Sequence, residues 1–110
     1  MADSRLELLQ GTLDLLVLKA LTWGPMHGYG VSVLIHQQTD GEITVVDAAL
    51  YKALYRLEHD NLLASTWGVS ENNRKARFYR LTPAGRKQLD QEAAEFDRMV
   101  RAIQLVMRTA

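Results

Sequence analysis

Two short runs hold the side chains best suited to chemistry. In the first, Tyr51, Lys52, Tyr55 and Arg56 fall at i, i+1, i+4 and i+5. On a helix, that spacing places two phenols and two cations on one arc, away from Leu50, Leu54 and Leu57. In the second, Asn73, Arg74, Lys75 and Arg77 follow Ser70-Glu71-Asn72 in a polar, turn-forming stretch. Cations and hydrogen-bonding rings of this kind bind phosphate oxygens and base edges. The chemistry offered is recognition rather than bond breaking. Tyr29 adds a third phenol near the start of another helix, where a phosphate would also meet free backbone amides.

Residues for catalysis or metal binding do not assemble in the same way. The chain has no cysteine, so thiolate zinc sites, Cys nucleophiles and disulfides are absent. His27, His36 and His59 have no mutual ligand spacing and read as structural or surface side chains. Ser70 lacks a glycine-flanked elbow and a nearby base. Glu92 and Glu95 read as part of a solvated helix face. The expectation is a non-enzyme with no cofactor and no metal.

Charge distribution favours a polyanionic partner. The formal net charge of the 110 residues is zero. Residues 47–87, however, hold eight cations against four anions, a net +4. Residues 1–46 sum to −3 and residues 88–110 to −1. A basic centre therefore lies between acidic flanks, and local cations facing phosphate supply most non-specific affinity for nucleic acid. Hydrophobic residues make up 47% of the chain and charged residues 24%, which excludes a disordered or collagen-like chain. The apolar stretch Leu13 to Trp23 is short and interrupted by Asp14, Lys19 and Thr22, so it does not span a bilayer. The first residues carry Asp3, Arg5 and Glu7 and do not resemble a secretory signal. A cytoplasmic protein with no membrane partner is expected.

The elements that position these runs follow from punctuation. Thr12 as N-cap and Asp14 in the first turn predict a helix over Leu13–Trp23, stopped by Gly24-Pro25. Its inward residues are Leu13, Leu16, Val17, Ala20 and Leu21. A second helix covers Gly28–Thr39, with Val31, Leu34 and Ile35 inward, and ends at Asp40-Gly41. Ile43–Val46 reads as a short strand. Asp47 as N-cap opens a third helix, Ala48–Asp60, which buries Leu50, Ala53, Leu54 and Leu57. Asn61 ends it in a left-handed conformation. Strands Leu63–Val69 and Ala76–Leu81 form a hairpin with a basic tip.

Thr82-Pro83 opens a last helix that runs to about Arg108. Its apolar positions Leu89, Ala93, Phe96, Val100, Ile103 and Met107 alternate in steps of four and three, a heptad seam. Met99 and Val106 widen it. So long a stripe outreaches a core of three short helices, and exposed seams of this kind meet a partner. Self-association through these residues is expected. Phe96, Met99, Val100 and Ile103 also suit a hydrophobic pocket for an effector. Two tryptophans complete the aromatic inventory: Trp23 reads as a packed helix end and Trp67 as a cover for the hairpin root.

Three helices, a basic hairpin and a long helix are the order of a winged helix-turn-helix domain. The fold class is mainly α with a small β-hairpin wing. Residues 1–82 would be the DNA-binding domain and residues 83–110 the dimerisation helix. In this arrangement the third helix enters the major groove and the wing lies along the backbone or a minor groove. Wing cations can enter a narrow minor groove.

Specific runs carry a family resemblance. Leu50-Tyr51-Lys52-Ala53-Leu54-Tyr55-Arg56-Leu57-Glu58 resembles the recognition-helix motif of the PadR family of bacterial transcriptional regulators. Tyr79-Arg80-Leu81-Thr82-Pro83-Ala84-Gly85-Arg86-Lys87-Gln88-Leu89 resembles that family's wing-to-last-helix junction. Gly11-Thr12-Leu13 and His27-Gly28-Tyr29 also fit, so the likeness spans about residues 5–108. It implies a homodimer, usually a repressor, on a pseudo-palindromic operator in double-stranded DNA. It also implies, for some members, release by a small aromatic or lipophilic effector. The chain is similar to the short members with a single C-terminal helix. It departs from the pattern at Ala48-Ala49, where members often carry Gly and then Ser or Thr. A hydroxyl able to touch phosphate is thus missing at Ala49. Asn61 stands where many have Gly. Two other readings follow from the residues themselves: a ligand sensor built around the effector pocket, and a protein-interaction module built on the heptad seam.

Overall fold

A computed structural model describes Leu8 and residues 10–109. The elements in chain order are α1 (Gln10–Ala20), a 3-10 turn (Leu21–Trp23), α2 (Gly28–Gln38) and α3 (Asp47–His59). The hairpin β1 (Leu63–Val69) and β2 (Lys75–Leu81) and the long α4 (Pro83–Arg108) follow. The charges at Asp3, Arg5 and Glu7 lie outside the described residues.

The predicted order holds, and the differences are local. α1 begins at Gln10, so Thr12 is helical rather than a cap and Asp14 sits beyond the first turn. The helix tightens into a 3-10 turn over its last three expected residues. Leu13, Val17, Ala20 and Leu21 are buried as expected and Leu16 partly so; Leu18 is fully buried as well, because α1 is covered by α2, α3 and α4 together. Residues 43–46 pair with no strand. They form a loop in which Val45 is buried and Val46 exposed. Thr39 Oγ1 fixes the start of that loop by accepting from Ile43 N at 3.1 Å. Asp47 is the first residue of α3, and the capping position is Val46, which has no side-chain acceptor.

α3 buries Leu50, Ala53, Leu54 and Leu57, as its stripe predicts. Its exit follows from Asn61, which has φ 62°. Leu62 N donates to Leu57 O at 2.9 Å and Asn61 N to Glu58 O at 3.0 Å, the two bonds of a Schellman end. That turn delivers the chain into β1.

The hairpin is antiparallel, with Leu63 opposite Leu81, Ser65 opposite Tyr79, Trp67 opposite Arg77 and Val69 opposite Lys75. These pairs share one face, since successive side chains alternate. β2 begins one residue earlier than expected, at Lys75. Met26 adds a bridge to Tyr79, donating to and accepting from its backbone at 3.0 and 2.8 Å. The segment after Pro25 thereby ties the wing root to the helical core.

α4 starts as Thr82-Pro83 predicts. Thr82 Oγ1 accepts from Gly85 N at 3.0 Å and donates to Asn61 O at 2.7 Å, so one hydroxyl caps α4 and ties it to the end of α3. The first turns of α4 pack on the core, and Leu89 is only 4% exposed. Beyond them the helix projects outward. Phe96, Met99, Ile103, Val106 and Met107 are exposed in the single chain. The radius of gyration, 15.4 Å, exceeds the roughly 13 Å of a compact chain this long, as a projecting helix requires.

Candidate nucleic-acid interface

α3 presents its polar arc outward. Tyr51, Lys52 and Tyr55 are exposed, and Tyr55 stacks on His59 with ring centroids 6.4 Å apart. Ala49 is exposed in the first turn of the same helix. Tyr51 lies against the N-terminus of α2, where a Cβ on Gly28 would stand 2.9 Å from its ring. Tyr29, one residue on, is exposed.

Arg56 does not join that arc. Its Nη2 donates to Asp14 Oδ1 of α1. The pair is half-buried and joins α3 to α1. Burial raises the Asp14 carboxyl above its ordinary value, and this outweighs the attraction of Arg56. A folded-state pKa above the unfolded one means that folding takes up a proton. The stability tied to Asp14 is therefore largest at low pH and is lost as pH rises through the elevated value. Urea midpoints of wild type and Asp14→Asn, followed upward from the ordinary 3.8, should show the wild type losing ground to the variant. A wild type that gains ground would contradict this.

The wing faces the start of α2 and Tyr51 of α3 across a cleft of about 440 Å³. Its walls include His27, Gly28, Tyr29 and Tyr51 on the helical side, and Trp67, Arg74, Lys75 and Arg77 on the wing side. Asn73 shapes the tip: at φ 59° it takes a left-handed turn, and its N–H donates to Ser70 O at 2.9 Å. Arg74 and Lys75 are exposed beside it. Arg77 is differently used. Its Nε donates to Ser65 Oγ at 2.8 Å and its Nη2 to Glu58 Oε2 at 3.1 Å, which anchors the wing to α3.

Three further side chains take places that spacing alone does not assign. His27 caps α2, with Nδ1 accepting from Gly30 N at 3.0 Å. Its Nε2 lies 3.5 Å from Glu71 at the wing tip. Trp67 is 63% exposed in the cleft rather than packed over the wing root. Trp23 is also exposed, at 69%, rather than packed. The alternation of β1 signals Trp67, which shares a face with Lys75 and Arg77.

On α4 the seam divides. Leu89 is buried in the chain's own core and is not available to a partner. Ala93, Phe96, Ile103 and Met107 are exposed, and Val100 is half-buried. Phe96, Met99, Val100 and Ile103 lie along one helix face, at the spacing i, i+3, i+4, i+7. Among the described residues no helix is long and apolar enough to cross a membrane.

The profile of the Transcriptional regulator PadR-like family matches residues 17–91, more than half of the chain. The chain belongs to this family. A transcriptional regulator from Clostridium thermocellum has a similar structure, with TM-score 0.79 and 30% identity over 86% of this chain and 89% of that one. A PadR family transcriptional regulator from Eggerthella lenta is likewise 30% identical, with TM-score 0.74 over 92% of this chain and 86% of that one. An uncharacterized protein from Lysinibacillus sphaericus is 26% identical over 94% of both chains. By family, then, the chain is a PadR-like transcriptional regulator.

For this PadR-like regulator the contact between Gly28 and Tyr51 gives a specific test. A methyl at Gly28 displaces the hydroxyl end of the Tyr51 ring, a half-exposed side chain with room to swing away. Gly28→Ala should change folding free energy by no more than about 1 kcal/mol. DNA affinity should fall roughly three- to tenfold, the worth of one hydrogen bond. Fluorescence anisotropy of a labelled duplex measures this, and unchanged affinity would remove Tyr51 from the interface.

Proposed function

We propose that the chain is a homodimeric repressor that binds a pseudo-palindromic operator. The observation that carries this reading is the cleft in which Tyr51 of α3 and the start of α2 meet the exposed wing cations Arg74 and Lys75, with Lys52 exposed on the same helix as Tyr51. α3 enters the major groove, with Lys52, Tyr51 and Tyr55 toward base edges and phosphates. Arg74 and Lys75 follow the flanking backbone. Arg77 contributes by holding the wing against α3, and Arg56 by holding α3 against α1.

Residues 1–82 do the binding and residues 83–110 the pairing, with the root of α4 shared with the core. The exposed stripe from Ala93 to Met107 supports the pairing, because it is too apolar to leave in water. Two copies joined along it carry two recognition helices, and half-sites about one helical turn apart, roughly 34 Å, suit such a dimer. Occupying a promoter excludes polymerase, which makes repression the simplest outcome. The stripe's Phe96, Met99, Val100 and Ile103 would line the junction of the two copies, where a small aromatic or lipophilic effector can bind and shift the half-site separation. The work is done in the cytoplasm, where the DNA is.

Selection of bound fragments from the native genome at physiological salt tests the reading. Enrichment of an inverted repeat upstream of a gene, with repression of a reporter driven by that sequence, is expected. Recovery of unrelated sequences at equal frequency would overturn it.

A further inference from the structure

We infer that Trp67 is itself a DNA contact, an apolar one that packs on the sugar-phosphate backbone in the cleft between the wing and the start of α2 beside Tyr51. The inference rests on the DNA-binding reading above.

Position is the first argument. On its face of the hairpin, the successive rungs from the root outward are Leu63–Leu81, Ser65–Tyr79, Trp67–Arg77 and Val69–Lys75. Leu63 and Tyr79 are buried, so the inner rungs belong to the core. Trp67 occupies the first rung beyond it and turns the largest side chain of the hairpin toward the cleft. At 63% exposure the indole leaves much of its apolar surface in water. That surface is a cost in the free protein, which a partner in the cleft would remove.

The second argument is what surrounds the ring. Lys75 Nζ stands 5.0 Å from the ring centroid and the Arg77 guanidinium 5.9 Å. Across the cleft are Tyr29 and Tyr51. An aromatic wall with cations over one of its faces matches a nucleic-acid backbone, where apolar deoxyribose alternates with phosphates. Rings bind sugars and bases with little regard to sequence. Trp67 therefore adds affinity without adding to the electrostatic term.

The test uses a full-length Trp23→Phe chain, so that Trp67 is the sole tryptophan; Trp23 does not line the cleft. Sheared genomic DNA is titrated in at low salt, while the anisotropy of a labelled fragment reports binding. Trp67 emission should change in step with anisotropy, and its quenching by acrylamide should fall. In parallel, Trp67→Leu should keep the urea midpoint of the parent, lose about tenfold in affinity, and keep the slope of log affinity against log salt. Binding by anisotropy with unaltered Trp67 emission and acrylamide quenching would overturn the inference and leave the DNA reading intact. A reduced salt slope in Trp67→Leu would also overturn it, by showing that the ring acts only through Lys75. Absence of any anisotropy change in the parent would sink the DNA reading and the inference together.

Discussion

Phe96→Asp combined with Ile103→Asp should convert the protein to a monomer that still folds. Phe96 and Ile103 are 46% and 52% exposed in the single chain and lie beyond the part of α4 that packs on the core. A two-fold interface counts each substitution twice, so four carboxylates would enter an apolar seam. Burying even one unpaired charge costs several kcal/mol, so dimer dissociation should rise by roughly 100-fold or more. Operator affinity should fall at least as far, because a monomer holds one half-site. Equilibrium sedimentation and anisotropy measure the two effects, and circular dichroism should show the helices retained. A dimer that survives both substitutions would remove α4 from the interface.

Gly85→Ala should have the largest effect on the fold itself. Gly85 is buried in the first turn of α4, where a Cβ would stand 2.0 Å from the carbonyl oxygen of Leu62. That oxygen also accepts from Thr82 N at 3.2 Å, so it is held from both sides and has no room to yield. α4 must lift from the end of α3, at a cost of at least about 3 kcal/mol. The thermal midpoint should fall by roughly 12 °C or more. The neighbouring Ala84 is exposed, and Ala84→Gly should cost only about 1 kcal/mol. Scanning calorimetry separates the two. A Gly85→Ala chain as stable as Ala84→Gly would show that the close approach of α4 to Leu62 does not exist.

Local rules account for most of the architecture. The stripe Leu50, Ala53, Leu54, Leu57 identifies the buried face of α3 because helical spacing leaves no other choice. Asn61 marks its exit and Thr82-Pro83 opens α4, since each residue has a conformational preference that acts within one turn. The hairpin register follows from the turn at Ser70–Arg74. What local reasoning misses is set by contacts distant in sequence. Asp14 looks like a favourable first-turn acid, yet α1 starts earlier and Asp14 meets Arg56 of α3. Leu89 continues the heptad of Phe96 and Ile103, yet its position near the root of α4 buries it in the chain's own core.

The candidate interface divides the same way. Lys52, Tyr51, Arg74 and Lys75 are exposed on the side their spacing indicates. Arg56 and Arg77 carry the same charge and the same apparent suitability. Their partners, Asp14, Ser65 and Glu58, turn them into anchors for α3 and the wing. Sequence cannot distinguish a free cation from an anchored one when the anchor lies on another element. The motif run around Gly85 carries its own message only once Leu62 is seen beside it.

The salt dependence of DNA binding tests the central claim most directly, that the wing and α3 form the DNA-binding face. Each phosphate neutralised by a cation contributes about 0.9 to the slope of log affinity against log salt. The double variant Arg74→Ala, Lys75→Ala should bind every duplex more weakly and lower the magnitude of that slope by about two units for each chain engaged. A slope equal to that of the wild type would contradict the placement of the wing on the backbone.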